Sequence, residues 1–213
     1  MRAVRLLLGL AATAGGGELA AQTLHPTVGA SVVAVRVRSA VPAGIDVSSG
    51  AALGEEGTLS FGRWLLDVRY LQGRLDPGSP NASARDLVEG RVRLGFRPLP
   101  WLTLGGGRSG RAYVLTSGIQ RWLWWELRAR AEATFIGSAA TGYAELWRAV
   151  STEVNVPERF DHAQGGEAGI ILRLSRMPFE AQVAYRIDHA VLGGGTRRET
   201  VDGVVVGLRL ARH

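Results

Sequence analysis

Apolar and polar residues alternate with a period of two along most of this chain. The sequence from Leu127 to Phe135 reads LRARAEATF, in which apolar residues alternate with Arg128, Arg130 and Glu132. A helix would spread these residues around its circumference, whereas a strand places alternate residues on opposite faces. The pattern therefore predicts β-strands that each have one apolar face and one charged face.

The same alternation recurs along the rest of the chain. Strands are predicted near residues 28–38, 50–60, 64–75, 86–97, 101–107, 119–135, 142–151, 167–175, 179–188 and 200–211. Short connections are predicted to alternate with long ones that are rich in glycine, proline and polar residues. The long ones are Ser39–Ser49, Asp76–Arg85, Gly107–Gly118, Thr152–Gly166 and His189–Glu199. An even number of strands places both chain ends on the side of the short connections.

About ten amphipathic strands with this spacing resemble the small outer-membrane β-barrel proteins of bacteria. The resemblance implies an all-β, antiparallel, up-and-down transmembrane β-barrel that contacts lipid outside and encloses a polar lumen. It also implies recognition by the outer-membrane assembly machinery, although the chain ends in histidine where this class usually has an aromatic residue. Aromatic girdles are expected at two levels. They comprise Trp64, Trp101, Phe135, Tyr143 and Phe179 near the short turns, and Tyr70, Tyr113, Trp122 and Trp147 near the long loops.

The first 21 residues have the layout of a secretory signal peptide. Arg2 and Arg5 precede the apolar stretch Leu6–Ala14, and small residues follow as far as Ala21. This stretch is shorter than the ~20 residues that a transmembrane helix needs, so an N-terminal anchor helix is the weaker alternative. We predict a signal peptide at residues 1–21, a single barrel domain at residues 22–213, and location in the outer membrane.

Composition excludes several classes of function. The absence of cysteine excludes a disulfide scaffold, a thiolate zinc site and a cysteine nucleophile. All 25 basic residues are arginine, and the formal net charge is +6. No recognition helix or aromatic stacking platform accompanies this charge, so binding to nucleic acid is not expected. No cofactor is predicted either.

Charged faces should line the lumen if the apolar faces contact lipid. Arginine suits this position because its planar guanidinium bridges two carboxylates and keeps its proton. A ten-stranded barrel with so many charged side chains should be largely filled. The predicted inward residues are Arg36, Asp67, Arg69, Glu89, Arg91, Arg93, Glu126, Arg128, Arg130, Glu132, Arg173, Glu180, Arg186 and Arg209.

Such a filled lumen predicts a monomeric, non-enzymatic protein with a structural or surface-interaction role. A narrow, weakly anion-selective channel is the alternative. A soluble exported barrel that binds a small apolar ligand is a further one, because period two does not show which face is buried. Arginines of the loops and rims predict contact with outer-membrane lipid, including lipopolysaccharide phosphates. They are Arg85, Arg108, Arg111, Arg121, Arg159, Arg197 and Arg198.

Two dipeptides carry residues that could perform hydrolysis, Asp161-His162 and Asp188-His189. A carboxylate that orients an imidazole can activate water, and the ten-stranded omptin proteases are similar in using aspartate and histidine at the barrel rim. Neighbours in a strand face opposite ways, so a catalytic pair requires Asp161 to meet His189. No metal site is predicted, because none of the four histidines lies at ligand spacing from another.

Overall fold

The computed structural model describes residues 24–211 except 81–82, 137–138 and 175–176. The predicted signal peptide lies outside the described residues. Within these ranges, no helix is long and apolar enough to cross a membrane. The strands are β1 (Leu24–Val41), β2 (Gly44–Phe61), β3 (Trp64–Pro77), β4 (Arg85–Leu99), β5 (Leu102–Leu115), β6 (Gly118–Phe135), β7 (Ala140–Val154), β8 (Phe160–Arg173), β9 (Phe179–Leu192) and β10 (Arg197–Ala211).

The ten strands form one closed, antiparallel barrel. Each strand pairs with its neighbours in the chain, and β1 closes the barrel by pairing with β10 from Thr27↔Ala211 to Ala40↔Arg198. Closure leaves no unpaired strand edge, which is the condition that lipid imposes on a sheet. The prediction of an all-β, antiparallel, up-and-down barrel of about ten strands is confirmed.

The strands extend further than predicted at one end of the barrel. We call the end at which β1 begins and β10 ends the terminal end, and the opposite end the distal end. Only Pro42 and Ala43 separate β1 from β2, where the sequence predicted a long loop over Ser39–Ser49. That prediction is wrong because loop-type residues keep the alternation: Ser39 and Ser48 are buried inside the barrel.

The outward face is apolar over the part of the barrel next to the terminal end, which we call the terminal tier. Val92, Leu127 and Val206 point away from the barrel and are 51%, 61% and 55% exposed. Trp64 and Trp101 lie outward beside the turns of the terminal end. A continuous apolar band with aromatic residues at its edge is typical of a surface in contact with lipid.

Polarity inverts in the rest of the barrel, which we call the distal tier. Its outward residues are mostly polar, including Gln72, Arg74, Asp86, Gln164 and Arg198, although Ile45, Val114 and Ile119 are also exposed there. Its inward residues are buried, tightly packed and mostly apolar, as in a water-soluble barrel. We call the inward apolar residues the apolar core. It comprises Val33, Val35, Val37, Leu71, Leu75, Leu87, Tyr113, Val201 and Val205, with Trp122, Trp124, Ala163, Ala190 and Leu192 beside them.

This inversion corrects the predicted position of Arg36. The sequence assigned Arg36 to the lumen and the valines beside it to lipid. In the structure Val35 and Val37 fill the apolar core, whereas Arg36 points outward and its Nη2 lies 3.0 Å from Oδ2 of Asp202. The prediction is wrong because it assumed that apolar residues face outward over the whole barrel height. For the same reason the predicted girdle residues Tyr113 and Trp122 are buried inside. Tyr143 and Trp147 also lie inside, because they share the inward face of β7 with Glu145.

Candidate functional site: the charged lumen

Two adjoining cavities occupy the lumen. The larger one, which we call the vestibule, has a volume of about 280 Å³ and is lined by residues nearer the terminal end, including Thr58, Thr103 and Arg173. The smaller one, the central cavity, has a volume of about 40 Å³. Arg69 and Glu145 line both cavities, so the two are in contact.

Every charged residue predicted for the lumen, apart from Arg36, lines one of these cavities. This placement follows from the alternation of inward and outward side chains along each strand. The residues are Asp67, Arg69, Glu89, Arg91, Arg93, Glu126, Arg128, Arg130, Glu132, Arg173, Glu180, Arg186 and Arg209.

Sequence reasoning missed several carboxylates that the lumen also contains. Glu56, Glu145 and Glu167 have almost fully buried side chains that pair with lumen arginines. All three lie next to or within three residues of a glycine, which has no side chain to mark a face. Because of these additions, the lumen is closer to charge balance than the sequence predicted.

Four of the lumen residues form a closed ring of ion pairs at the central cavity. Arg111 contacts Glu89 at 2.6 Å and Asp188 at 2.6 Å. Arg186 contacts the same two carboxylates at 2.7 Å and 2.9 Å. All four side chains are nearly buried, and each charge touches two of opposite sign. We call this arrangement the ion-pair ring; it joins β4, β5 and β9 across the lumen.

Arg69 forms a second junction, between strands on opposite sides of the barrel. Its guanidinium contacts Glu56 at 2.9 Å and Glu167 at 3.2 Å. The hydroxyl of Tyr143 donates a hydrogen bond of 2.7 Å to Glu167. Charged hydrogen bonds of this kind are strong and directional, so they hold the strands at a fixed separation.

Two stacked tryptophans close one wall of the central cavity. The rings of Trp124 and Trp147 lie 5.7 Å apart with an interplanar angle of 18°. The indole N–H of Trp124 donates to Glu126 at 2.9 Å, and that of Trp147 donates to Asp188 at 3.1 Å. Their polar atoms thus satisfy carboxylates of the lumen while their rings fill space.

Three of the arginines predicted for loops and rims lie inside the barrel instead. Arg111 belongs to the ion-pair ring, Arg85 is buried with its guanidinium 5.3 Å from the ring centre of Tyr113, and Arg197 packs near Trp122 at 5.9 Å. The prediction is wrong for them because their segments continue as strands. Arg108, Arg121 and Arg198 are exposed on the outside.

Asp161 from one candidate dipeptide and His189 from the other do not form a catalytic pair. Asp188 belongs to the ion-pair ring, whereas His189 points outward with Nδ1 3.2 Å from Oγ1 of Thr200. Asp161 lies at the distal rim and accepts a hydrogen bond of 2.7 Å from the backbone N–H of Gly194. Asp161 and His189 thus have separate partners, and the absence of enzymatic activity stays a prediction. Among the described residues, no three His, Asp or Glu side chains are grouped to hold a metal ion.

Gly165 is a further site residue that sequence reasoning missed, because it lets β8 pass close to the ion-pair ring. A Cβ atom there would lie 2.6 Å from Nε1 of Trp147 and closer still to Oδ1 of Asp188. We expect Gly165→Ala to lower the free energy of unfolding by about 1–3 kcal/mol, the range typical of overpacking. Urea titration of the folded protein in detergent, followed by tryptophan fluorescence, measures this loss.

Gly90→Ala is the matched control for this substitution. Gly90 is exposed on the outward face of β4, and no atom lies within 4 Å of the position of its Cβ. We expect no loss of stability from this variant. Equal losses in both variants would show that the space beside Asp188 is not what requires glycine at 165.

Known proteins resemble this chain in fold but not in sequence. No family model matches it, and no curated protein is similar to it in sequence. Solved structures do match: the outer membrane protease OmpT from Escherichia coli shares 8% identity at a TM-score of 0.62, over 91% of this chain and 99% of that one. Neisserial surface protein A shares 10% identity at a TM-score of 0.39, over 87% and 97% of the two chains. At identities this low, the similarity concerns the fold alone.

Proposed function

We propose that this protein, which has the fold of bacterial outer-membrane β-barrel proteins, is a closed, monomeric barrel of the outer membrane with a structural or surface-interaction role. The terminal tier lies in lipid, with the vestibule facing the periplasm. The distal tier stands outside the membrane and offers a rigid polar surface to partners at the cell surface.

The apolar core is the observation that carries this proposal. Leu75, Leu87, Tyr113 and Val201 are almost inaccessible to solvent, and they fill the distal tier from several strands. An ion that crossed this layer would have to displace these packed side chains, and the charges among them, Arg85 and Glu199, are themselves buried. The ion-pair ring adds a second obstruction on the terminal side of the apolar core. The barrel is therefore closed to ions along its axis.

The positions of the exposed arginines fit a barrel in which only the terminal tier is embedded in lipid. Arg108 and Arg148 point outward where the apolar band of the terminal tier ends, and Arg36 lies at a similar boundary on β1. At this level a guanidinium reaches the phosphates of outer-leaflet lipids and can bind them through paired hydrogen bonds. Lipopolysaccharide phosphates are therefore the proposed partners of these three arginines.

A narrow anion-selective passage is the second candidate. The vestibule favours it, because its lining includes Arg97, Arg128, Arg130, Arg173 and Arg209. This cavity makes up only the part of the lumen next to the terminal end. A passage would also require the apolar core to open.

Single-channel recording distinguishes the two candidates. We expect the purified protein in planar lipid bilayers to give no conductance steps above the leak of the bare bilayer. A shift in gel mobility on boiling checks that the sample contains folded barrel. Stable conductance with a preference for anions would contradict the closed barrel and support the passage.

A variant with a thinned apolar core provides the positive control. Replacing Leu87 and Tyr113 by alanine removes two large side chains from the distal tier, so we expect intermittent conductance. The matched variant Leu53→Ala, at an outward position that is 69% exposed, should remain as silent as the wild type.

A further inference from the structure

Arg91 is an arginine of the lumen that no carboxylate contacts closely. Arg91 lies on β4, lines the central cavity and has a side chain that is only 18% exposed. Within the described part of the chain, Asp67 is the one carboxylate within 4.0 Å, at 4.0 Å from Nε, and Nε has no hydrogen-bond partner. The charge of Arg91 is therefore left uncompensated among its neighbours.

Five carboxylates and four guanidinium groups line the central cavity, and each of these carboxylates already has another partner. Glu126 accepts from Trp124, Glu145 pairs with Arg128, and Glu167 pairs with Arg69. Asp67 accepts two hydrogen bonds from Arg93. Glu89, two residues from Arg91 on the same strand, belongs to the ion-pair ring. Directly opposite on β3 lies Arg69, which brings a like charge to the same face.

This arrangement leaves the guanidinium of Arg91 without a carboxylate of its own. A guanidinium keeps its proton at any ordinary pH, so Arg91 cannot become neutral. A buried charge without a partner is strongly unfavourable. The central cavity beside it has a volume of about 40 Å³, and a water molecule needs roughly 10–15 Å³ on this measure. The space suits a halide-sized ion.

We propose that the central cavity binds a halide-sized inorganic anion, chloride under ordinary conditions, on the guanidinium of Arg91. The anion enters from the vestibule, where further arginines attract it. The apolar core blocks the other end. Bound there, the anion acts as the counter-ion of Arg91 and ties β4 to the strands around the cavity.

Anion-dependent stability tests this site in the whole barrel. The midpoint temperature of the gel-mobility shift is measured in sodium chloride and in sodium gluconate at equal ionic strength, because gluconate is too large for the cavity. We expect the wild type to unfold a few degrees higher in chloride, since a ligand of the folded state raises its stability. Equal midpoints in the two salts would overturn the proposal.

Three variants test whether the difference between chloride and gluconate arises at Arg91. Arg91→Gln should lose the difference between the salts and should match or exceed the wild type in gluconate, because it removes an uncompensated charge. Arg91→Lys keeps the charge and should keep a difference. Arg74→Gln removes the same charge from the outer surface, where the side chain is 73% exposed, and should behave as the wild type. A salt difference that persists in Arg91→Gln would place the anion elsewhere and overturn the assignment.

A second readout uses the tryptophans of the cavity. Iodide quenches indole fluorescence on contact, and Trp124 and Trp147 line the central cavity. We expect a saturable quenching component in sodium iodide that chloride reverses and that Arg91→Gln lacks. Purely linear quenching in the wild type would contradict the site. Neither readout depends on conductance, so the closed barrel and the anion site can fail separately.

Discussion

Replacing Asp188 by alanine should lower the free energy of unfolding of the barrel by about 3–5 kcal/mol, the range for breaking a buried ion pair. Asp188 accepts hydrogen bonds from Arg111, Arg186 and Trp147. Without it, the two guanidinium groups share Glu89 alone, and the indole N–H loses its acceptor. Urea titration in detergent or lipid vesicles, followed by tryptophan fluorescence, measures the loss.

Glu180→Ala is the control for that experiment. Glu180 also faces the lumen and pairs with an arginine, but its partner Arg173 is 48% exposed and lies 3.7 Å away. Exposed pairs contribute about 0–1 kcal/mol, so the loss should be small. If both variants lost the same stability, the ion-pair ring would be no stronger than a solvated pair.

Introducing arginine at Ala131 should destabilise the barrel by about 2–4 kcal/mol in lipid, the cost of a cation on the lipid face near the midplane. Ala131 is exposed on the outward face of β6, with Leu102 and Ala144 opposite it on the neighbouring strands. The yield of heat-modifiable barrel after refolding into vesicles should fall accordingly.

The neighbouring substitution Arg130→Ala should have a weaker effect. Arg130 faces the lumen, where its Nε lies 2.7 Å from Glu132 and its Nη1 lies 3.8 Å from Glu145. Glu132 is 29% exposed and can be hydrated, and Glu145 keeps its contact with Arg128. Refolding should therefore succeed. If Ala131→Arg refolded as well as Arg130→Ala, the apolar face would not contact lipid.

Alternation alone was enough to assign most charged side chains around the lumen to a face. On β6 the charged residues from Arg128 to Glu132 face the lumen as predicted, and on β9 Arg186 and Asp188 face inward while His189 faces outward. The signal is clear there because the two faces differ in polarity. The amphipathic strands also predict a closed barrel, because a sheet in lipid tolerates no open edge.

Two features could not be read from the sequence. On β1 the valines that fill the distal tier and those that point outward in the terminal tier look alike, because period two identifies two faces without saying which one water contacts. The ion-pair ring is also invisible, since Arg111 and Asp188 are 77 residues apart. Only barrel closure brings such residues together, and no local pattern marks which arginine meets which carboxylate.

Solvent accessibility along the barrel wall tests the two-tier account most directly. The chain has no cysteine, so single cysteines at Val206, Gln164 and Thr58 can each carry a spin label in vesicle-embedded protein. We expect the label at Val206, which points outward in the terminal tier, to be relaxed by oxygen dissolved in lipid. Labels at Gln164, outward in the distal tier, and at Thr58, in the vestibule, should be relaxed by a water-soluble nickel chelate. A label at Val206 that the nickel chelate relaxes as strongly as at Gln164 would contradict the two-tier account.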